Sequence, residues 1–277
     1  MSSSPSKVRV EQDGHVGIIR MVDERKRNAL SYELREEFVE AFYALRDDPD
    51  VRALYVTGSG AAFCGGGDLR MMREESDTWS SHRRLSRTAR WLTDYIRCPK
   101  PVVVGVNGVA VGGGIGLALA GDVIYAAREN ASFMAGFMRL GLIPDVGVMY
   151  TLPRAVGMAK ARAFVFGNET WTAEQAENYG LINAAVPDDE LDARCLDRAA
   201  QLARGPVEGF GIAKTLLGRS LESSLDEMFT YEDLGQSVAY STQAVQEGVD
   251  ALVSGRTADF VAATEREIAT QLERKRR

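Results

Sequence analysis

Two glycine-bearing segments have the residue types needed to hold a reacting carbonyl oxygen: Ala62-Phe63-Cys64-Gly65-Gly66-Gly67-Asp68-Leu69 and Asn107-Gly108-Val109-Ala110-Val111-Gly112-Gly113-Gly114-Ile115-Gly116. Each follows a β-branched run, Arg52 to Thr57 or Val102 to Val106, and each leads into a stretch that can form a helix. Backbone N–H groups are then presented where glycine lets a substrate come close. Two such amides aimed at one oxygen make an oxyanion hole. Glycine-rich turns before helices also bind phosphates or simply reverse the chain, so a nucleotide site is the natural rival. Neither segment has the Lys-Ser/Thr of a Walker loop, and no acidic residue lies at the expected distance after a Rossmann-like GxGxxG.

Other reactive side chains are few. Cys64 sits inside the first segment, but the two histidines, His15 and His82, show no spacing that pairs with it, so a small buried thiol is expected. The same shortage argues against a Ser-His-Asp hydrolase. Asp68 stands at a helix start, where an aspartate accepts backbone N–H groups. Asp145 follows Pro144 and precedes a helical run, and taken locally it too reads as a helix cap.

The elements that must position these groups alternate. Lys7 to Val10 and His15 to Val22 read as a hairpin turned at Asp13-Gly14, and Tyr32 to Leu45 has apolar residues at helical spacing. Strands are expected at Arg52 to Thr57, Val102 to Val106, Val123 to Ala126 and Ala131 to Met134. Helices are expected around Trp79 to Ile96, after Gly112 and after Asp145. From Lys160 onward strand signals nearly vanish, and helical stretches follow one another to Arg274. Met71, Met72, Met134, Met138 and Met149 read mainly as core, and Trp79 and Trp91 as helix-packing residues.

With 277 residues and 45% hydrophobic content the chain can bury a substantial core. A net charge of -6 argues against a protein that coats nucleic acid. Three cysteines at spacings unlike any zinc motif point to reduced thiols in a cytoplasm, with no disulfide and no metal. The serine-rich start has no apolar core of a signal peptide, and the longest apolar stretch, Pro101 to Ala120, is broken by glycines, so neither export nor membrane insertion is expected. The basic end from Arg274 to Arg277 reads as a solvated helix terminus.

Side by side in this order, the two glycine segments resemble the crotonase superfamily of enoyl-CoA hydratases and isomerases. The resemblance implies an α/β crotonase fold, a ββα superhelix whose core, residues 1–200, holds a CoA thioester. A helical C-terminal region, 201–277, would assemble trimers or dimers of trimers. It implies Gly67 and Gly113 as the oxyanion donors. Arg25-Lys26-Arg27 precedes Asn28-Ala29-Leu30, which resembles the family's first substrate-side loop and would bring Arg25, Arg27 and Ala29 to the CoA. Gly65, Asp68, Leu69, Gly112, Gly116, Phe137 and Leu140 complete the substrate-binding set that the resemblance implies. The partner is the acyl-CoA thioester itself, with no cofactor beyond the coenzyme A it carries.

The segment Phe133 to Gly147 separates the family's chemistries. Its hydratases carry two glutamates that hold and activate water, at the positions of Gly116 and Phe137 here. Neither of these can move a proton. The Leu142-Ile143-Pro144-Asp145-Val146-Gly147 stretch resembles instead the double-bond isomerases, dienoyl-CoA isomerases and hydroxyacyl-CoA hydrolases, and most closely the ring-epoxide isomerases of phenylacetate degradation. In that branch the carboxylate faces the acyl chain, and apolar neighbours such as Ile143, Val146 and Phe137 would raise its pKa. The family's dehalogenases also use an aspartate here, with a histidine and a tryptophan at the positions of Ala89 and Phe137, which this chain lacks. The resemblance therefore implies a cytoplasmic acyl-CoA double-bond isomerase with Asp145 as its catalytic residue. Hydration, thioester hydrolysis and non-catalytic acyl-CoA binding are the alternatives.

Overall fold

The computed structural model describes residues 5–74 and 77–275. Among these residues ten strands form two sheets. The larger has six, in the order β1 (Val8–Asp13), β2 (Val16–Met21), β3 (Ala53–Gly58), β5 (Val102–Val106), β7 (Val123–Ala127) and β10 (Ala184–Val186). The smaller is β4 (Ala62–Cys64), β6 (Val109–Val111), β8 (Ser132–Met134) and β9 (Thr170–Thr172). The edge pairs β1 with β2 and β8 with β9 are antiparallel, and the remaining pairs are parallel.

The chain reaches this arrangement by repetition. Each of β3, β5 and β7 leaves the large sheet, turns within a few residues into β4, β6 or β8 of the small one, and returns through helix. Strands covered on both faces lose the alternation of a half-exposed strand, which is why β3 and β5 are buried at every residue and, apart from the hydroxyls of Tyr55 and Thr57, carry no polar side chain. The coiled stack expected from the strand, strand, helix units is the fold observed.

Helices complete the cover. α1 (Tyr32–Asp47) starts at Ser31, whose hydroxyl accepts the Leu34 N–H, and buries Leu34, Phe38, Ala41, Phe42 and Leu45. α2 (Leu69–Glu74) is short, and α3 (Thr78–Ile96) meets α1 through ring contacts of Phe38 with Trp91 and of Phe42 with Tyr95. α4 (Gly113–Leu119) is buried at every residue, and α5 (Val148–Phe166) is broken by a non-helical Gly157. After α6 (Ala173–Asn178), α7 (Leu191–Ala203) lies on the large sheet with Leu191, Cys195, Ala199 and Ala203 buried. Residue 200 thus falls inside a core helix. Beyond it α8 (Val207–Arg219) and α9 (Leu225–Tyr240) contain no buried residue, while α10 (Gln243–Val253) and α11 (Phe260–Lys275) pack on each other.

Some expectations fail. Two strands, β9 and β10, lie in the stretch where strand signals nearly vanish and no strand is expected. Each is three residues long, and β10 is Ala-Ala-Val, too short and too small in side chain to stand out from its neighbours. Trp79 is 69% exposed and touches the His82 ring at its edge, so it packs no helix. None of the five methionines is fully buried, and Met149 lies 62% exposed. Residues 1–4 of the serine-rich start and residues 276 and 277 of the basic end lie outside the described residues.

Candidate active site

The first glycine segment leaves the small sheet at Cys64 and enters α2 through Asp68. Asp68 Oδ1 accepts the Arg70 N–H at 3.0 Å, and Oδ2 pairs with Lys26 Nζ at 3.1 Å. Burial pushes this carboxyl up, but Lys26 and the amides of Arg70 and Met71 outweigh it and hold Asp68 below the ordinary aspartate range. The capping role read from sequence is the geometry observed.

The N-terminal loop is clipped onto this segment. Gly65 N donates to Arg27 O at 2.8 Å and Leu30 N to Gly66 O at 2.7 Å. Asn28, fully buried, donates from Nδ2 to Ser59 O and Ala62 O. Arg27 and Asn28 both take left-handed backbone, which turns the chain so that Ala29 and Leu30 go inward while the Arg25 and Arg27 side chains stay in solvent. Sequence reasoning passed over Lys26, the basic residue of this trio that is tied down. Leu69 is exposed at the start of α2, and Leu140 is exposed in the short 3₁₀ turn after Phe137.

The second segment packs directly against the first. A β-carbon placed on Gly66 would stand 2.6 Å from the Val111 carbonyl oxygen and 3.7 Å from the Gly113 nitrogen. Gly112 N donates to Met134 O, Ile115 N donates to Gly112 O, and Gly113 opens α4. The first amides of a helix have no acceptor within it. Among the described residues the Gly67 and Gly113 N–H groups donate to no backbone carbonyl. Two amides are therefore left without a backbone acceptor.

Asp145 completes the group. Its Oδ1 lies 3.6 Å from the point a β-carbon on Gly113 would take. It does not cap α5: that position belongs to Gly147, no side chain caps the helix, and Val148 N donates to the Asp145 backbone carbonyl. Asp145 instead lines a cavity of ≈ 480 Å³ with Val146, Gly147 and Tyr150 on its own side, and Leu85, Thr88, Ala89, Leu92, Thr93, Ile96 and Arg97 of the α3 region opposite. Burial raises its pKa above the usual aspartate value, against the opposing pull of Arg84, its own backbone N–H and Arg35.

The expected direction of that shift holds, but not all of its expected causes. Ile143 is 76% exposed and contributes no wall. Phe137 is buried with its ring 3.5 Å from the β-carbon position of Gly112. The α3 face of the cavity was missed, although Leu92 and Ile96, four apart, carried a helical apolar signal. Ala89, where a dehalogenase would carry histidine, lines the same cavity as Asp145. Glu222, from the α8–α9 connection, lines it too and is paired with Arg154 at 2.7 Å. Cys64 is buried, and its thiol is pushed up to about 12 by that burial, which leaves no thiolate at neutral pH.

The sequence matches the profile of the enoyl-CoA hydratase/isomerase family over residues 11–263. A probable enoyl-CoA hydratase of Rhodobacter capsulatus is 37% identical over 91% of this chain and 97% of its own. The 1,2-epoxyphenylacetyl-CoA isomerase of Escherichia coli is 34% identical over 84% of this chain and 90% of its own. Among solved structures, an enoyl-CoA hydratase/isomerase from Cupriavidus metallidurans superposes with a TM-score of 0.87 at 31% identity, covering 93% of this chain and 97% of that one.

Proposed function

The chain belongs to the enoyl-CoA hydratase/isomerase family, and we propose that within it this enzyme is an acyl-CoA double-bond isomerase with one catalytic carboxylate. The observation behind this reading is the place of Asp145, beside Gly113 on the wall of an apolar cavity and free of any capping duty. The two positions that would hold water in a hydratase of the family are Gly116 and Phe137.

The thioester oxygen accepts from the Gly67 and Gly113 N–H groups, which draws electron density off the carbonyl and acidifies the α and γ carbons. Ionised Asp145 takes a proton from one of them, and the electron pair moves into a dienolate held on the thioester oxygen. The resulting carboxylic acid returns the proton to the other carbon, so the double bond shifts and Asp145 is restored. A donor of this kind is worth about 3 kcal/mol and a positioned base about 10²- to 10⁴-fold, enough for a proton that the thioester already activates. Burial serves the base by bringing its pKa towards the operating pH. The CoA end is assigned to the loop of Arg25, Arg27 and Ala29, and the acyl group to the cavity. No cofactor beyond the substrate's own coenzyme A takes part, and the enzyme works in the cytoplasm as a trimer or a dimer of trimers.

A second reading, hydration, is favoured by the name of the Rhodobacter relative. One pair of assays separates the two: isomerisation of a 3-enoyl-CoA and water addition to crotonyl-CoA, run on the same preparation. Isomerisation is expected to dominate; hydration at a comparable rate would overturn the proposal. Tight CoA-ester binding with neither turnover nor exchange of the α proton with heavy water would mark a binding protein instead.

A further inference from the structure

Between Asp145 and the start of α5 the chain takes two consecutive left-handed residues, Val146 at φ 48° and Gly147 at φ 74°. Glycine enters this region freely, whereas a β-branched residue there is an outlier that surrounding contacts must hold in place. Those contacts come from α4. Val146 Cγ2 lies 2.9 Å from the point a β-carbon on Gly113 would occupy. The Val146 carbonyl oxygen lies only 2.0 Å from the corresponding point on Gly116, with the carbonyl carbon at 2.9 Å and Cβ at 3.0 Å. Residues 113 and 116 share one helix face, so the turn is laid along a strip that has no side chains. Because the obstacle at position 116 is backbone, not a flexible side chain, even alanine there would displace the turn.

We propose that Gly116 and Val146 together form the positioning device that aims Asp145: the bare helix face seats the Val146 carbonyl, and the left-handed turn so fixed holds the Asp145 carboxylate beside Gly113. Gly116 is then more than the site of an absent hydratase glutamate. On this backbone a side chain at 116 and a carboxylate presented from 145 exclude each other, so the choice between water-activating and proton-shuttling chemistry is made by one packing contact. Both residues are positioning residues that act through Asp145, and the inference rests on the reading of Asp145 as the proton carrier.

The test measures kcat, KM and the pH profile of 3-enoyl-CoA isomerisation for Gly116→Ala, Val146→Gly, the double variant and Asp145→Asn, with melting temperature as the control for folding. Gly116→Ala and Val146→Gly are each expected to lower kcat at least tenfold with KM within threefold. Val146→Gly should also bring the acid limb of kcat down towards the ordinary carboxylate range, as part of the apolar wall around Asp145 is lost. The double variant should be no slower than the worse single one, because both changes loosen the same turn, Gly116→Ala by displacing the Val146 carbonyl and Val146→Gly by removing the side-chain contacts with α4 that hold the backbone in place. If Gly116→Ala does not fold, Val146→Gly carries the test, since glycine takes the left-handed backbone without strain. A Val146→Gly enzyme with the parent's kcat and acid limb, or single losses that multiply in the double variant, overturns the proposal. Turnover retained by Asp145→Asn would instead sink the assignment of the base; an inactive Asp145→Asn beside an unaltered Val146→Gly removes only the positioning role.

Discussion

Asp145 is held where its charged form is disfavoured, because burial outweighs the pull of Arg84, its own N–H and Arg35. The sign of the consequence is fixed by that direction. A carboxyl whose pKa is raised by folding stabilises the fold while protonated, and that contribution fades as pH rises through the folded value. Replacing Asp145 by Asn at pH 7 is therefore expected to leave the melting temperature unchanged or slightly higher, while isomerisation falls about 10²-fold or more. A lower melting temperature with unchanged turnover per folded molecule would mark a structural aspartate instead. The kcat profile of the parent should have its acid limb above the usual aspartate value of about 3.9. Gly113→Pro tests the other half of the site: it removes the donor N–H and adds atoms where Val146 Cγ2 already stands at 2.9 Å, so turnover should be abolished in whatever fraction folds. Near-normal turnover in a folded variant would exclude Gly113 as a donor. At this scale the sequence showed the reactive groups but not their surroundings. Asp145 and the glycines stood out by type and spacing, whereas the cavity wall is built by α3, some fifty residues away in the chain. Ile143, two residues from Asp145, turned out to face solvent.

Elements were legible in proportion to how much of their signal was local. Val102 to Val106 is strand because four of its five residues are valine and both its faces are covered, and its ends matched the reading. Thr170–Thr172 and Ala184–Val186 are strands because β8 and β7 offer them open edges, which no local pattern reveals. The α10–α11 pair shows how a late element is secured with little core. Glu247, among the few buried charged residues, accepts from Arg256 and from the Asp259 N–H, with Arg266 nearby. Arg256 above all, with the Asp259 amide, lowers the Glu247 pKa to about 2. A depressed carboxyl contributes stability that is present above its unfolded value and is lost as pH falls through the folded one. The α10–α11 pair should therefore loosen as pH falls from about 4.5 towards 2, earlier than the sheet core, and Glu247→Gln should loosen it already at neutral pH. Hydrogen exchange of α10 and α11 against β3 and β5 would show this; equal protection of both regions in the variant and the parent would rule it out.

The whole molecule leaves apolar surface that its own core does not use. α8 and α9 bury no residue, yet Leu217, Leu225, Phe229, Leu234 and Val238 on them and Leu221 between them are each exposed, with Phe229 at 59%. Soluble monomers rarely present contiguous apolar surface on a large scale, and exposed apolar residues on two successive helices support the assembly proposed above. This surface adjoins the cavity of Asp145: Tyr150 donates its hydroxyl to Gly218 O, and Glu222, at the join of α8 and α9, is among the residues that line it. The assembly proposed above would therefore share this stretch of chain with the cavity. Sedimentation at micromolar concentration is expected to give a trimer or a dimer of trimers. Charge placed on α9, as in Leu234→Glu with Val238→Glu, should yield smaller species whose KM for the acyl-CoA rises more than kcat falls, because the cavity wall at Glu222 loses its support while Asp145, Gly67 and Gly113 keep theirs. A parent protein that sediments as a monomer would remove the assembly proposal and leave the chemistry of Asp145 untouched; dissociated variants with unaltered KM would separate assembly from the site.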